Sequence, residues 1–320
     1  MKSILKLFIL MTSMIYISSC EEGFDPKTKF EEQYIAYCIL SGDTTFQTAT
    51  LSKSYDVSSS DPYENTTDPS LEGATINIIY EDSTYTFKDS TTTRLDSSRY
   101  DSPIRFYYLN NFRPEENKNM TLQIILPNGK ILNSATKTPR LTYFNFQYSD
   151  QDIPQVDGQV GIRWDYYYKD KENLVYYPRL KIYYQKLEDG IQKDKSQVIP
   201  LEYLLVDNEY VPYYPSVVKF PLIIYYQSVI DKAFQDISKN DPNKQNYTIK
   251  KIVFELLLLN NELAPYYMTV VGVSEGLSVI LDRMDYSNIE GGLGVFGVYY
   301  VKKLDFNLST AYINSFGYKF

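Results

Sequence analysis

The stretch MTLQIILPNGKILNSAT, residues 120–136, decides the fold class. It holds two runs rich in aliphatic residues, at 120–126 and 130–136, on either side of the dipeptide Asn128-Gly129. Asn-Gly tolerates the positive φ angles of a tight turn, so the stretch predicts a β-hairpin. We therefore expect a chain that is mainly β.

Runs of the same kind precede the hairpin, and turn-forming residues separate them. Together with the hairpin they predict seven short strands, at 34–40, 45–52, 74–80, 84–88, 105–108, 120–126 and 130–136. Short strands at this spacing predict an immunoglobulin-like β-sandwich over residues 33–140.

A second β-rich unit is predicted over residues 141–320. The single tryptophan, Trp164, on an early strand and paired tyrosines on a late strand are similar to a fibronectin type III sandwich. Apolar residues at a spacing of three and four over 223–240 predict a helix inserted in this second sandwich. The strands of this unit are predicted at 142–148, 159–168, 175–187, 197–201, 250–259, 266–273 and 298–303.

The N-terminus has the features of an export signal. Two lysines precede a short apolar run, which ends in the tetrapeptide ISSC at 17–20. An aliphatic residue, two small residues and a cysteine resemble a bacterial lipobox, in which the cysteine sulfur receives a diacylglycerol. We therefore expect a lipoprotein signal peptide at 1–19, lipidation of Cys20 and a lipid-anchored tether at 20–32. The alternative is an ordinary signal peptide with a chance cysteine, and a total of two cysteines in the chain argues against it.

The charge and the missing residue types exclude several classes of function. The formal net charge is −8, and removal of the two signal-peptide lysines changes it to −10, which argues against nucleic acid and anionic lipid head groups as partners. The sequence contains no histidine, which excludes histidine-dependent nucleophilic catalysis and most zinc sites. We predict a protein that is not an enzyme and has no cofactor. Its 40 acidic residues leave a carboxylate-based glycoside hydrolase as the alternative.

Tyrosine is unusually frequent, at 33 of 320 residues, and it recurs in doublets. Adjacent strand residues point to opposite faces, so a doublet places one ring in the core and its neighbour outside. Outward rings suit a protein partner or a glycan, although tyrosine is also simply a good strand former. The candidate partner-binding residues are Tyr210, Tyr213 and Tyr214, because the prolines among them predict a loop rather than a central strand.

Two further predictions concern three aspartates in one loop and the cysteine at position 38. Asp150, Asp152 and Asp157 lie close together in one loop and form a weak candidate calcium site, with a solvated acidic loop as the alternative. Cys38 lies in an apolar run and is predicted to be a small buried core residue.

Several short motifs identify a family resemblance. They are YD at 55–56, DPY at 61–63, GATI at 73–76, LPNGK at 126–130, TP at 138–139 and, above all, SNIEGGLGVFG at 287–297. With the lipobox they resemble Bacteroidota outer-membrane lipoproteins of the DUF4249 family, whose domain has no known function. The resemblance implies association with a TonB-dependent receptor and supplies no catalytic residues. The glycines of the last motif are themselves predicted to serve backbone geometry rather than a ligand.

These observations lead to one principal hypothesis. The chain is expected to be a non-enzymatic outer-membrane lipoprotein that binds an envelope protein, such as a TonB-dependent receptor, or a glycan. Glu21-Glu22 after the cysteine look like an acidic surface-export signal, which favours the cell surface over the periplasmic face. The alternative is a structural component of the envelope.

Overall fold

The structure is a computed structural model that describes residues 30–56, 65–141, 144–147, 151–155, 158–166, 174–239, 241–273 and 286–320. The predicted signal peptide and Cys20 lie outside these ranges. None of the helices in them is both long and apolar enough to cross a membrane.

The described residues form mainly β-structure. The three helices are α1 (Gln227–Ser238), α2 (Ala264–Val273) and α3 (Thr310–Ser315). The strands are β1 (Tyr34–Ser41), β2 (Gln47–Lys53), β3 (Thr75–Tyr80), β4 (Ser83–Thr86), β5 (Lys88–Thr92), β6 (Ile104–Leu109), β7 (Asn119–Ile125), β8 (Ile131–Lys137), β9 (Phe144–Gln147), β10 (Asp152–Ile153), β11 (Gln159–Tyr166), β12 (Val175–Glu188), β13 (Ile191–Ile199), β14 (Glu202–Val206), β15 (Glu209–Tyr213), β16 (Leu222–Tyr226), β17 (Tyr247–Leu259) and β18 (Leu293–Leu308).

One large sheet runs through the molecule in the order β13-β12-β17-β18-β1-β2-β6-β5, with β10 beside β18. The last strand, β18, lies between β17, to which it is antiparallel, and the first strand, β1, to which it is parallel. The sheet therefore combines strands from both sides of the boundary that the sequence predicts at residue 140.

A four-stranded sheet, β4-β3-β7-β8, packs on one face of the large sheet at the end that contains β1, β2 and β6. The predicted hairpin at 120–136 is confirmed as β7 and β8, and Gly129 in its turn has a φ of +82°. Cys38 lies fully buried in the core between these two sheets, as predicted. Burial also raises the pKa of its thiol.

A three-stranded sheet, β16-β11-β9, covers the other end of that same face together with α1. Trp164 on β11 is completely buried there, and its ring lies 5.3 Å from that of Tyr176 on β12. The doublet Tyr225-Tyr226 follows the predicted alternation, since Tyr225 is buried and Tyr226 is 51% exposed. Two smaller sheets stacked on one larger sheet give the layered packing of a β-sandwich.

The opposite face of the large sheet carries α2, which corrects the sequence prediction of a strand at 266–273. Leu263 and Ala264 pack there on Val175, Leu257 and Val295. The Tyr and Val residues of 266–273 favour strands by propensity, but this tertiary contact determines the conformation. The helix predicted over 223–240 is present as α1, although it runs from Gln227 to Ser238 and residues 223–226 belong to β16.

The glycine-rich motif at 287–297 guides β18 into the large sheet. The side chain of Asn288 donates to the carbonyl of Phe296 at 2.7 Å and accepts from its N–H at 2.8 Å. A Cβ on Gly294, whose φ is +116°, would lie 1.9 Å from the carbonyl oxygen of Ala36 on β1. The prediction that these glycines serve backbone geometry is therefore confirmed.

Candidate functional site

A two-stranded hairpin, β14 and β15, extends the chain between β13 and β16. Its turn residues Asp207 and Asn208 have positive φ angles of 49° and 66°, which is the geometry of a type I′ turn. At its base, the hydroxyl of Tyr203 donates to the Asp236 carboxylate of α1 at 3.0 Å. Lys232 of α1 lies 4.8 Å above the same ring. The hairpin is therefore fixed to the body through one face of its base.

The end of this hairpin exposes a group of apolar side chains that we call the hairpin tip, formed by Leu204, Leu205 and Tyr210. Leu205 and Tyr210 are direct cross-strand neighbours on one face, and they are 62% and 66% exposed. Large apolar side chains exposed together are typical of an interaction surface.

The three tyrosines predicted from the sequence do not share one surface. Tyr210 belongs to the hairpin tip, whereas Tyr213 is on the other face of β15 because its position has opposite parity. Tyr214 is half-buried, and burial raises the pKa of its hydroxyl. The predicted loop is instead an edge strand. Pro212 is accommodated because it stands opposite Tyr203 at a position where β15 directs no N–H toward β14.

Next to the hairpin, β16 forms one edge of the three-stranded sheet. The N–H of Trp164 donates to the carbonyl of Pro221 at 3.1 Å, and the N–H of Gln227 donates to the carbonyl of Gly158 at 2.9 Å. Bonding in an antiparallel ladder alternates, so the odd-numbered residues of β16 bond to β11. Ile224 therefore directs its N–H and C=O groups toward the free edge, and Tyr226 directs its N–H there, whereas the carbonyl of Tyr226 begins α1 as its N-cap.

The even-numbered residues of β16 also present their side chains to solvent. We call the surface formed by Phe220, Leu222, Ile224 and Tyr226 the edge surface. These side chains are 69%, 38%, 41% and 51% exposed, respectively. Gly161 of β11 stands opposite Ile224 and has nothing within 4 Å of an added Cβ, so the neighbouring strand leaves the Ile224 side chain uncovered.

An open groove of about 330 Å³ separates the hairpin from β16. Its lining is entirely uncharged and consists of Leu201, Tyr213, Pro215, Ser216, Val218, Leu222, Ile223 and Ile224. The groove therefore joins the base of the hairpin, not the hairpin tip, to the edge surface.

A different arrangement surrounds Glu255, which is 4% exposed in the middle of β17. Arg179 and Lys303 are its direct cross-strand neighbours, at 3.0 and 3.4 Å from its carboxylate oxygens. Lys181 lies at 2.8 Å, and the Tyr183 hydroxyl donates at 2.7 Å. Burial acts to raise the pKa of Glu255, but the hydrogen bonds and cationic charges outweigh it and lower the pKa to about 2. The carboxylate is thus held ionised as the centre of a charged network.

A second charged group lines a cavity of about 520 Å³ beside the end of α1. There, Glu188 lies within 3.2 Å of Lys186, 3.1 Å of Lys193 and 3.8 Å of Lys195. Hydrogen bonds from Lys193 and then Lys186 lower the pKa of the Glu188 carboxyl. Three lysines share this one carboxylate, so the group is positively charged, unlike the uncharged groove.

The candidate calcium residues are only partly described. Asp150 and Asp157 lie outside the described residues. The carboxylate of Asp152 accepts a hydrogen bond from the Asn307 side chain at 2.9 Å. Within the described ranges, no group of three or more acidic or thiol side chains is placed to hold a metal ion.

Sequence reasoning missed most of the apolar site, namely Leu204, Leu205 and the whole edge surface. The signal for the hairpin was the pair Asp207-Asn208 between two apolar runs. The edge strand has no comparable signal, because residues 222–226 are all aliphatic or aromatic and their alternation of burial appears only in the structure.

A comparison with protein families shows the family of this chain. The sequence model of a family described as "Domain of unknown function (DUF4249)" matches residues 21–305, which include the hairpin tip, the edge surface and most of β18. No curated protein matches the chain.

Proposed function

Because the chain belongs to the DUF4249 family, we propose that it is a lipid-anchored, non-enzymatic binding protein of the bacterial outer membrane. The observation that carries the binding proposal is the hairpin tip. Its exposed pair Leu205 and Tyr210 stands at the end of a hairpin whose base is fixed to α1. A rigid aromatic anchor with aliphatic neighbours buries area at low entropic cost, which is how protein interfaces obtain most of their affinity.

The partner that suits this surface is another envelope protein rather than a glycan. A sugar stacks on a tyrosine ring, but its hydroxyl groups find no hydrogen-bonding partner on Leu204 or Leu205. An apolar pocket of a protein covers Leu205 and Tyr210 together, because they share one face of the hairpin, whereas Leu204 lies on the opposite face. The family resemblance points to a TonB-dependent receptor of Bacteroidota as the partner. Glu21-Glu22 support a position on the cell surface.

We also propose a specific sandwich class for each of the two smaller sheets packed on the large sheet. We assign the packing of β4-β3-β7-β8 on the large sheet to an immunoglobulin-like sandwich. We assign the packing of β16-β11-β9, with the buried Trp164, to a fibronectin type III-like sandwich. Superposition of an experimental structure on solved examples of both classes tests this assignment, and a different strand connectivity would replace it.

The anchor is tested by a Cys20→Ala substitution in the full chain. Two or three acyl chains hold a protein at a bilayer because each buried methylene contributes about 0.8 kcal/mol. We expect the parent protein to sediment with outer membranes and the substituted protein to appear in the soluble fraction. Intact mass of the parent provides the second readout, and an unmodified sulfhydryl at Cys20 would reject the anchor.

The partner is tested by photo-crosslinking in intact cells. A photoreactive phenylalanine analogue at Tyr210 is expected to give a discrete adduct with an envelope protein, identified by mass spectrometry. The same analogue at Phe46 is the matched control. Phe46 is also an exposed aromatic residue, at 47%, and it directly precedes β2, away from the hairpin. The same adduct at both positions, or none at Tyr210, would contradict the proposal.

A further inference from the structure

The edge of β16 lacks the features that normally prevent strands from pairing between molecules. Natural sheets protect exposed edges with charged side chains, bulges or covering segments. The segment FPLIIYY at 220–226 has no charged residue, and Pro221 stands just before the strand rather than within it. Among the described strands, only β11 pairs with β16. We infer that two copies of this chain pair antiparallel through β16, around a two-fold axis at Ile224.

The backbone directions fix the register of this pairing. Ile224 directs its N–H and C=O to the free edge, so two copies centred on this residue exchange a reciprocal pair of hydrogen bonds between their Ile224 residues. Tyr226 donates its N–H to the carbonyl of Leu222 of the second copy. The N–H of Leu222 already donates to the carbonyl of Phe220 in its own chain at 3.0 Å, and its carbonyl remains for this bond.

The side chains match in the same register. Ile224 faces Ile224 of the second copy, and Leu222 faces Tyr226, so apolar residues meet and no like charges are opposed. This self-match favours a second copy over an unrelated strand. An antiparallel pair of identical strands is also isologous, so the assembly closes as a dimer and joins the two three-stranded sheets.

Pairing through β16 joins the two sheets edge to edge, so the main-chain hydrogen bonds carry the contact and the exposed side chains touch along their flanks. Ile224, which is 41% exposed, lies on the two-fold axis and makes its closest new contact with its own copy. The inference depends on neither the lipid anchor nor a partner at the hairpin tip.

Cysteine crosslinking in the full chain tests both the pairing and its register. In Ile224→Cys, the two Cα atoms of a hydrogen-bonded antiparallel pair lie about 5.5 Å apart, within the reach of a disulfide. In Leu222→Cys, the two copies of the residue lie four positions out of register, about 14 Å apart, and cannot be bridged. We expect mild oxidation of membranes to convert Ile224→Cys to a covalent dimer and to leave Leu222→Cys monomeric. A mixture of differently tagged Leu222→Cys and Tyr226→Cys chains should crosslink.

The control is Ile79→Cys, which places a thiol at a similarly exposed isoleucine, at 37%, on β3. This variant retains Cys20 and Cys38, so it measures how much crosslinking the natural cysteines cause on their own. Sedimentation of the detergent-extracted protein gives a second readout: Ile224→Lys is expected to halve the protein mass, and Ile79→Lys to leave it unchanged. The inference is overturned if Ile224→Cys stays monomeric, crosslinks to a different protein, or dimerises no better than Leu222→Cys or Ile79→Cys.

Discussion

Replacing Glu255 with glutamine removes the charge at the centre of the network on β17 and nearly preserves the shape of the side chain. The carboxylate is buried and receives contacts from Arg179, Lys181 and Lys303. A group whose pKa falls from 4.5 to about 2 on folding stabilises the folded chain by roughly 3 kcal/mol at neutral pH. We expect Glu255→Gln to lose about this amount, because Arg179 and Lys181 also lose their buried counter-charge.

The pH dependence separates this explanation from a simple packing defect. Because the pKa of Glu255 is lowered in the folded state, its contribution is complete above about pH 4.5 and is lost as the pH falls to about 2. Urea unfolding of both proteins between pH 7 and pH 2 should show a constant difference down to about pH 5, followed by convergence. Asp305→Asn is the control, because Asp305 is 70% exposed and lies 3.7 Å from Lys251, so a change within about 0.5 kcal/mol is expected. A difference between Glu255→Gln and the parent that does not vary with pH would refute the reasoning.

Three further predictions concern backbone geometry and burial. Gly294→Ala places a Cβ 1.9 Å from the carbonyl oxygen of Ala36 and should cost more than about 3 kcal/mol in urea unfolding. Gly161→Ala, with nothing within 4 Å, should change stability by less than about 1 kcal/mol, and equal losses at both glycines would contradict the geometry. Asn288→Ala should cost about 2 kcal/mol, because two backbone hydrogen bonds of β18 are lost, and unchanged urea unfolding would count against this role. The buried thiol of Cys38, whose pKa is raised by burial, should resist alkylation at pH 8 until the chain is unfolded, and rapid labelling of the native protein would show that it is accessible.

Many individual strands could be predicted from the sequence, because the pattern of apolar runs and turn residues that marks a strand lies within a few neighbouring residues. The first strand was expected at 34–40 and runs from Tyr34 to Ser41, and the long strand expected at 175–187 runs from Val175 to Glu188. The helix α2 could not be predicted because its Tyr and Val residues favour strands when considered alone. Its conformation follows from contact with the large sheet.

Strand order and the candidate site were harder to predict for a related reason. The neighbour of β1 lies more than 250 residues away in β18, and no local pattern specifies a pairing at that separation. At the site, the exposure of Tyr210 could be anticipated from the surrounding prolines. The edge surface could not, because the apolar residues of β16 merge with those of α1 into a single apparent helical period.

The position of β18 determines when the chain can fold. During synthesis β1 emerges among the first structured residues, whereas the strand that completes its other side is among the last. Until then both β1 and β17 have an unpaired flank, so the central sheet cannot close and folding must await nearly the full length of the chain. On the proposed export route, this delay keeps the chain unfolded enough to pass through a translocation channel. A product truncated before residue 293 leaves one edge of β1 and one edge of β17 unpaired, and we expect it to aggregate or to be degraded by proteases.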